Sequence, residues 1–131
     1  MLKQERLAQK KTSMPEYDVM LPITEFLDKT NNETFRQLLS QATALILEAQ
    51  AVFFFGIGTS GALAQYGSRY LANAGIFSLS INDPFTPVGM RETVVADTLL
   101  VVLSVSGETT EMLAQVEQYQ AGKGKVLAIT N

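Results

Sequence analysis

From residue 51 onward, short apolar runs alternate with stretches of helical spacing, and this alternation constrains the fold more than any other feature of the chain. Ala51 to Phe55 is wholly apolar and rich in aromatic and β-branched residues, as befits a parallel strand covered on both faces. Ser60 to Asn73 reads as a helix with Ala62, Leu63, Tyr66 and Leu71 as core positions, ended by Ala74-Gly75. Ile76 to Ile81 predicts a second strand, closed by Asn82-Asp83-Pro84. Pro84, Pro87 and Gly89 disturb any helix over Phe85 to Ala96, so a short helix or irregular crossover is expected there. Thr98 to Val105 predicts a third strand, and Thr110 to Ala121 an amphipathic helix through Met112, Leu113, Val116 and Tyr119. Gly122 and Gly124 flank a turn into a fourth strand, Lys125 to Thr130. The order β-α-β-(α)-β-α-β implies an α/β fold with a parallel sheet, right-handed crossovers and helices on both faces.

Upstream, residues 1–13 are polar and Lys/Gln-rich, and Met14-Pro15 breaks that stretch. Lys3, Arg6, Lys10 and Lys11 form the one basic cluster and read as a solvated helical lead-in rather than a binding arm. A short helix is expected near Ile23 to Asp28. A clearer one is capped by Asn32, with Glu33 in its first turn and Phe35, Leu38, Leu39, Ala42, Leu45, Ile46 and Ala49 at spacings of three and four. That stripe should pack on the sheet or on a partner subunit. Residues 1–32 are thus expected to be a helical lead-in to a domain spanning 33–131.

The bulk numbers narrow the function. At 131 residues and 47% hydrophobic content, the chain can build its own core. With no cysteine it has no disulfides, thiolate zinc sites or cysteine nucleophiles, and with no histidine it lacks the commonest general base and transition-metal ligand. No metal and no cofactor is expected. A net charge of −3 argues against broad nucleic-acid binding. No signal-peptide or membrane-span pattern is present, and Val52 to Phe55 is far too short to cross a bilayer, so a cytoplasmic protein is the expectation.

Two loops carry the chemistry. Gly56-Ile57-Gly58-Thr59-Ser60 follows the first strand, and Ser104-Val105-Ser106-Gly107-Glu108-Thr109 follows the third. A strand that turns through small hydroxylated residues into a helix makes an anion site: backbone N–H groups and hydroxyls point outward and the helix dipole favours negative charge. In parallel α/β folds, ligands bind beyond the carboxyl ends of the strands, where both loops fall. Together they predict one pocket for a phosphate and neighbouring sugar hydroxyls. Either loop alone is better read as a helix cap, and it is the pair that favours ligand binding.

Other readings of these residues stand beside that one. Gly56, Gly58 and Gly61 satisfy G-x-G-x-x-G, with Asp83 placed where a ribose-binding acid would sit, so a dinucleotide site is an alternative. Ser60, Ser104 and Ser106 have no histidine to activate them as nucleophiles. Glu108 and Glu111 complement a helix dipole; Glu108 is also the one candidate for accepting a ligand hydroxyl or for proton transfer. Lys123 and Lys125 lie at the amino end of a strand and read as solvated turn charges.

Gly56-Ile57-Gly58-Thr59-Ser60, Ser104-Val105-Ser106-Gly107-Glu108-Thr109 and the closing Ala128-Ile129-Thr130-Asn131 resemble the SIS (sugar isomerase) domain over about residues 33–131. The resemblance implies a flavodoxin-like α/β/α sandwich, usually dimeric, with a fifth strand beyond the four visible here, and hence a domain truncated at its carboxyl end. It implies a phosphate held by Ser60, Ser104, Ser106 and Thr109 with the Gly58 and Gly107 backbones, and Thr59 as a neighbouring contact. Within the family, the chain is most similar to the effector domain of RpiR-type transcriptional regulators, in which a sugar phosphate controls DNA binding by a separate helix-turn-helix domain. Residues before Met14 are too few and too polar for such a domain, so no specific DNA binding by this chain is expected. A ligand sensor is the leading expectation. Part of a sugar-phosphate isomerase or aminosugar-forming enzyme is the alternative. A homodimer through the helix bearing Phe35, Leu39 and Ile46 is expected.

Overall fold

The computed structural model describes residues 16–83, 95–105 and 110–130. The chain divides into two compact units, Met1–Ser40 and Gln41–Asn131. In the first, α1 (Leu21–Thr30) carries Pro22 in its first turn, where the missing N–H costs nothing, so this helix is longer than the expected Ile23 to Asp28. The next helix, α2 (Glu33–Glu48), begins as its sequence predicts: the Phe35 N–H donates to Asn32 Oδ1 at 2.8 Å.

The second unit contains β1 (Ala51–Phe55), α3 (Thr59–Asn73), β2 (Ser78–Ile81), β3 (Thr98–Ser104), α4 (Thr110–Ala121) and β4 (Lys125–Thr130). All neighbouring strands pair parallel in the order β2-β1-β3-β4. From β1 to β2 the chain steps one way across the sheet; from β3 to β4 it steps the other way. Right-handed crossovers therefore put α3 and α4 on opposite faces, giving a three-layer α/β/α sandwich of flavodoxin-like order.

Each face has its own core. Phe55, Leu100 and Val102 pack with Met112 and Tyr119 of α4 and with Val95. Val52, Phe54, Leu99 and Val101 pack with Ala64 of α3, and Leu45, Ile46 and Ala49 lie against them. The α2 stripe thus meets the sheet through its carboxyl-terminal part, whereas Leu38 and Leu39 stay more than half exposed.

The inward face of α3 differs from the expected one. Gly61, Ala64 and Ser68 are buried, while Leu63 and Tyr66 are 62% and 69% exposed. Gly67 shows the reason: a Cβ there would stand 2.8 Å from the Phe54 ring. The helix lies too close to β1 for large side chains between them. On α4, Met112 and Tyr119 are buried as expected, but Leu113 is exposed.

Both helices end in the same hydrogen-bonded motif. The Ile76 N–H donates to Leu71 O and the Gly75 N–H to Ala72 O, with Gly75 at φ 88°. Ile76 is committed to this cap, so β2 starts at Ser78 and not at Ile76. At the end of α4 the Gly124 N–H donates to Tyr119 O and the Lys123 N–H to Gln120 O, with Lys123 at φ 63° in the position glycine usually fills. Lys125 is exposed, as expected of a solvated charge, and its ammonium lies 3.8 Å from the likewise exposed Glu48 carboxylate.

Candidate functional site

The carboxyl end of β1 is where the strand order reverses, with β2 on one side and β3 on the other. Chains leaving β1 and β3 there depart toward opposite faces, which opens a crevice between them. Phe55 aligns with Val102, so Ser104 stands two residues further along than the end of β1.

Three glycines shape the first loop, each for a different reason. A Cβ on Gly56 would stand 2.6 Å from the Ser60 carbonyl carbon and 3.0 Å from the Gly61 nitrogen. A Cβ on Gly61 would stand 2.9 Å from Gly56 O. These two let the strand end and the first helical turn approach backbone to backbone. Gly58 has nothing within 4 Å of a Cβ, but its φ of 64° favours glycine. It is the N-cap residue of α3 and supplies no side-chain cap. The glycine pattern thus has a structural basis in the strand-to-helix turn, with open space in front of Gly58.

A cleft of about 290 Å³ lies at this end of the sheet, lined by Ile57, Thr59, Ser60, Leu103, Ser104, Val105 and Met112. The structure therefore brings together the expected Thr59 and Ser60 from the first loop with Ser104 from the end of β3. Ser106, Gly107, Glu108 and Thr109 lie outside the described residues, and so does most of the Phe85 to Ala96 crossover. Asp83, the acid of the dinucleotide alternative, follows the carboxyl end of β2 and is exposed. Ile57, Leu103, Val105 and Met112 were not anticipated. Their signal was adjacency to the two loops, but apolar residues beside a strand end read as core until the topology is known.

Electrostatically, the described lining of the cleft offers dipoles and not side-chain charge. No described lining residue is ionisable. The amino ends of α3 and α4 both lie at the carboxyl end of the sheet, each equivalent to roughly half a positive charge. Among the described residues no group of His, Cys, Asp and Glu is placed to hold a metal ion, and no helix is long and apolar enough to cross a membrane.

At the other end of the sheet sits a buried polar pair. The Thr98 hydroxyl donates to Val95 O at 2.9 Å, which leaves its oxygen to accept from the Tyr119 hydroxyl. Burial pushes the Tyr119 phenol above its ordinary pKa, and the hydrogen bond with Thr98 opposes that rise. This pair stands at the start of β3, roughly 20 Å along the strand from Ser104 at 3.3 Å per residue. It fastens α4 to the sheet and takes no part in the cleft.

Comparison with known proteins agrees with this architecture. The SIS domain family matches residues 45–131. An uncharacterized HTH-type transcriptional regulator of Clostridium perfringens is 29% identical over 79% of this chain and 37% of its own length. A 3-hexulose-6-phosphate isomerase of Methanocaldococcus jannaschii is 26% identical over 75% of this chain and 52% of its own length. The chain thus spans between a third and about half the length of these two relatives. The sugar isomerase domain of an RpiR transcription factor from Sphaerobacter thermophilus superposes with a TM-score of 0.64 at 22% identity, covering 86% of this chain and 66% of that one.

Proposed function

The chain belongs to the SIS domain family, and from that premise we propose that it binds a sugar phosphate in the cleft between β1 and β3 and serves as a ligand sensor. The observation that carries this reading is the convergence of Thr59, Ser60 and Ser104 at one cleft beside the amino ends of two helices. Hydroxyls, uncapped backbone N–H groups and helix dipoles suit a phosphate. Ser106, Gly107 and Thr109 join the phosphate-binding set on the strength of the family resemblance alone.

A sensor is favoured over an enzyme because the hydroxyl and backbone groups at the cleft suit binding of a phosphate. Similarity to an HTH-type regulator and to an RpiR transcription factor supports the same choice. In such a sensor, ligand binding is read out through a separate DNA-binding part. The similarity to 3-hexulose-6-phosphate isomerase favours a second reading, aldose–ketose isomerisation with Glu108 as the acid–base group. We further propose a cytoplasmic protein, and a homodimer through the part of α2 bearing Phe35 and Leu39; Leu39 is 52% exposed, whereas Ile46, expected on the same interface, packs against the sheet instead.

A thermal-shift panel of sugar phosphates, NAD and inorganic phosphate tests the proposal, because a ligand that binds only the native state raises the melting temperature. A rise with a sugar phosphate that disappears in Ser60→Ala/Ser104→Ala is expected. A rise with NAD alone would transfer the site to the dinucleotide reading. Turnover of a hexulose 6-phosphate, lost in Glu108→Gln, would replace the sensor with the isomerase.

A further inference from the structure

Among the described residues of α4, Met112 and Tyr119 are buried, two helical turns or about 10 Å apart. Met112 lines the cleft, and Tyr119 stands at the far end of the sheet. β3 runs the same course, from Thr98 at the polar pair to Ser104 at the cleft. The Met112 contact is apolar and tolerates sliding, because a thioether chain repacks easily. The Tyr119 contact does not. Its hydroxyl donates to Thr98, whose own proton goes to Val95 O, so the bond is directional at both steps. The ring is enclosed as well: a Cβ on Gly124 would overlap it and stand 2.6 Å from Val95 Cγ1. Val95, Thr98 and Tyr119 are all buried, where a hydrogen bond holds its geometry without competition from solvent.

Resting on the phosphosugar reading above, we infer that Tyr119 and Thr98 are positioning residues for the cleft: without lining it, their bond fixes α4 along β3 and so sets the place of the helix's amino end relative to Ser104. A helix of 12 residues moves as a rod, so freedom at Tyr119 is carried along the axis to the N–H groups of the first turn at Thr110. A phosphate gripped by that turn and by Ser104 feels the displacement, since binding groups misplaced by about 1 Å lose much of their effect.

Titration calorimetry with glucose 6-phosphate, fructose 6-phosphate and N-acetylglucosamine 6-phosphate tests this, at a temperature where circular dichroism shows every variant folded. For the tightest-binding compound, Tyr119→Phe should weaken affinity at least about fivefold, the lower end of ordinary coupling between separate sites. Thr98→Ser keeps the hydroxyl and should bind within about twofold of the parent, well inside that range. In the absence of ligand, the amide NMR signals of Glu111 and Met112 should already be displaced in Tyr119→Phe and not in Thr98→Ser, which a loss of stability alone would not produce. A smaller loss of affinity in Tyr119→Phe, or the same loss in Thr98→Ser, would overturn the inference and leave the phosphosugar reading standing. Absence of binding of all three compounds by the parent protein would overturn both.

Discussion

Replacing Gly56 with alanine is expected to destabilise the protein far more than a surface glycine change. The new Cβ would stand 2.6 Å from the Ser60 carbonyl carbon and 3.0 Å from the Gly61 nitrogen. Both obstacles are backbone, so no side chain can rotate aside and the first turn of α3 must lift from the end of β1. Overpacking a tight site costs typically 1–3 kcal/mol when side chains can adjust, so about 3 kcal/mol is expected here. On a domain of this size that is a fall in Tm on the order of 10 °C. Gly58→Ala probes the backbone alone: it meets nothing within 4 Å, and its cost, about 1–3 kcal/mol, comes from holding φ 64° and ψ −127°, outside the left-handed helical region. Urea unfolding followed by far-UV circular dichroism measures both. Gly56→Ala within about 0.5 kcal/mol of the parent would refute the backbone-on-backbone account of the turn.

Other consequences can be checked on the same instrument. Gly124→Ala should cost at least about 2 kcal/mol, because its Cβ would overlap the buried Tyr119 ring and stand 2.6 Å from Val95 Cγ1. Lys123→Gly should stabilise by about 0.5–1 kcal/mol, since Lys123 holds φ 63° where glycine is unstrained. Tyr119→Phe should lose about 1 kcal/mol at neutral pH, the net worth of its bond to Thr98. The Tyr119 phenol is raised in the folded state, so the unfolded chain gives up that proton first as pH climbs. Stability should therefore decline above about pH 10 in the parent, and Tyr119→Phe should lack that part of the decline.

What was legible in the sequence follows from what each signal encodes. β1 and β4 have the expected bounds: β1 is a wholly apolar run, and in β4 the apolar Val126 to Ile129 stands between Lys125 and Thr130, directly after the Gly122–Gly124 turn. The faces of α3 were not legible: a stripe of Leu63 and Tyr66 looks like a core face, but proximity to Phe54 selects Gly61, Ala64 and Ser68 instead. Periodicity locates a helix and does not reveal how closely it will pack. The start of β2 was hidden for a related reason, since only the hydrogen bond from the Ile76 N–H to Leu71 O decides where the strand begins. For the candidate site, the hydroxyl loops pointed to Thr59, Ser60 and Ser104, and the topology made them neighbours. Ile57, Leu103, Val105 and Met112 became visible only with the fold, because apolar residues near a strand end carry no local mark of facing a cleft.

Backbone amide NMR during titration with the tightest-binding sugar phosphate tests the central claim most directly, since it reports where the ligand sits. The account predicts that the largest shifts fall on Gly58, Thr59, Ser60 and Val105, at the carboxyl ends of β1 and β3. Shifts centred on Thr98, Lys125 and the amino end of the sheet, or none with any sugar phosphate, would contradict it.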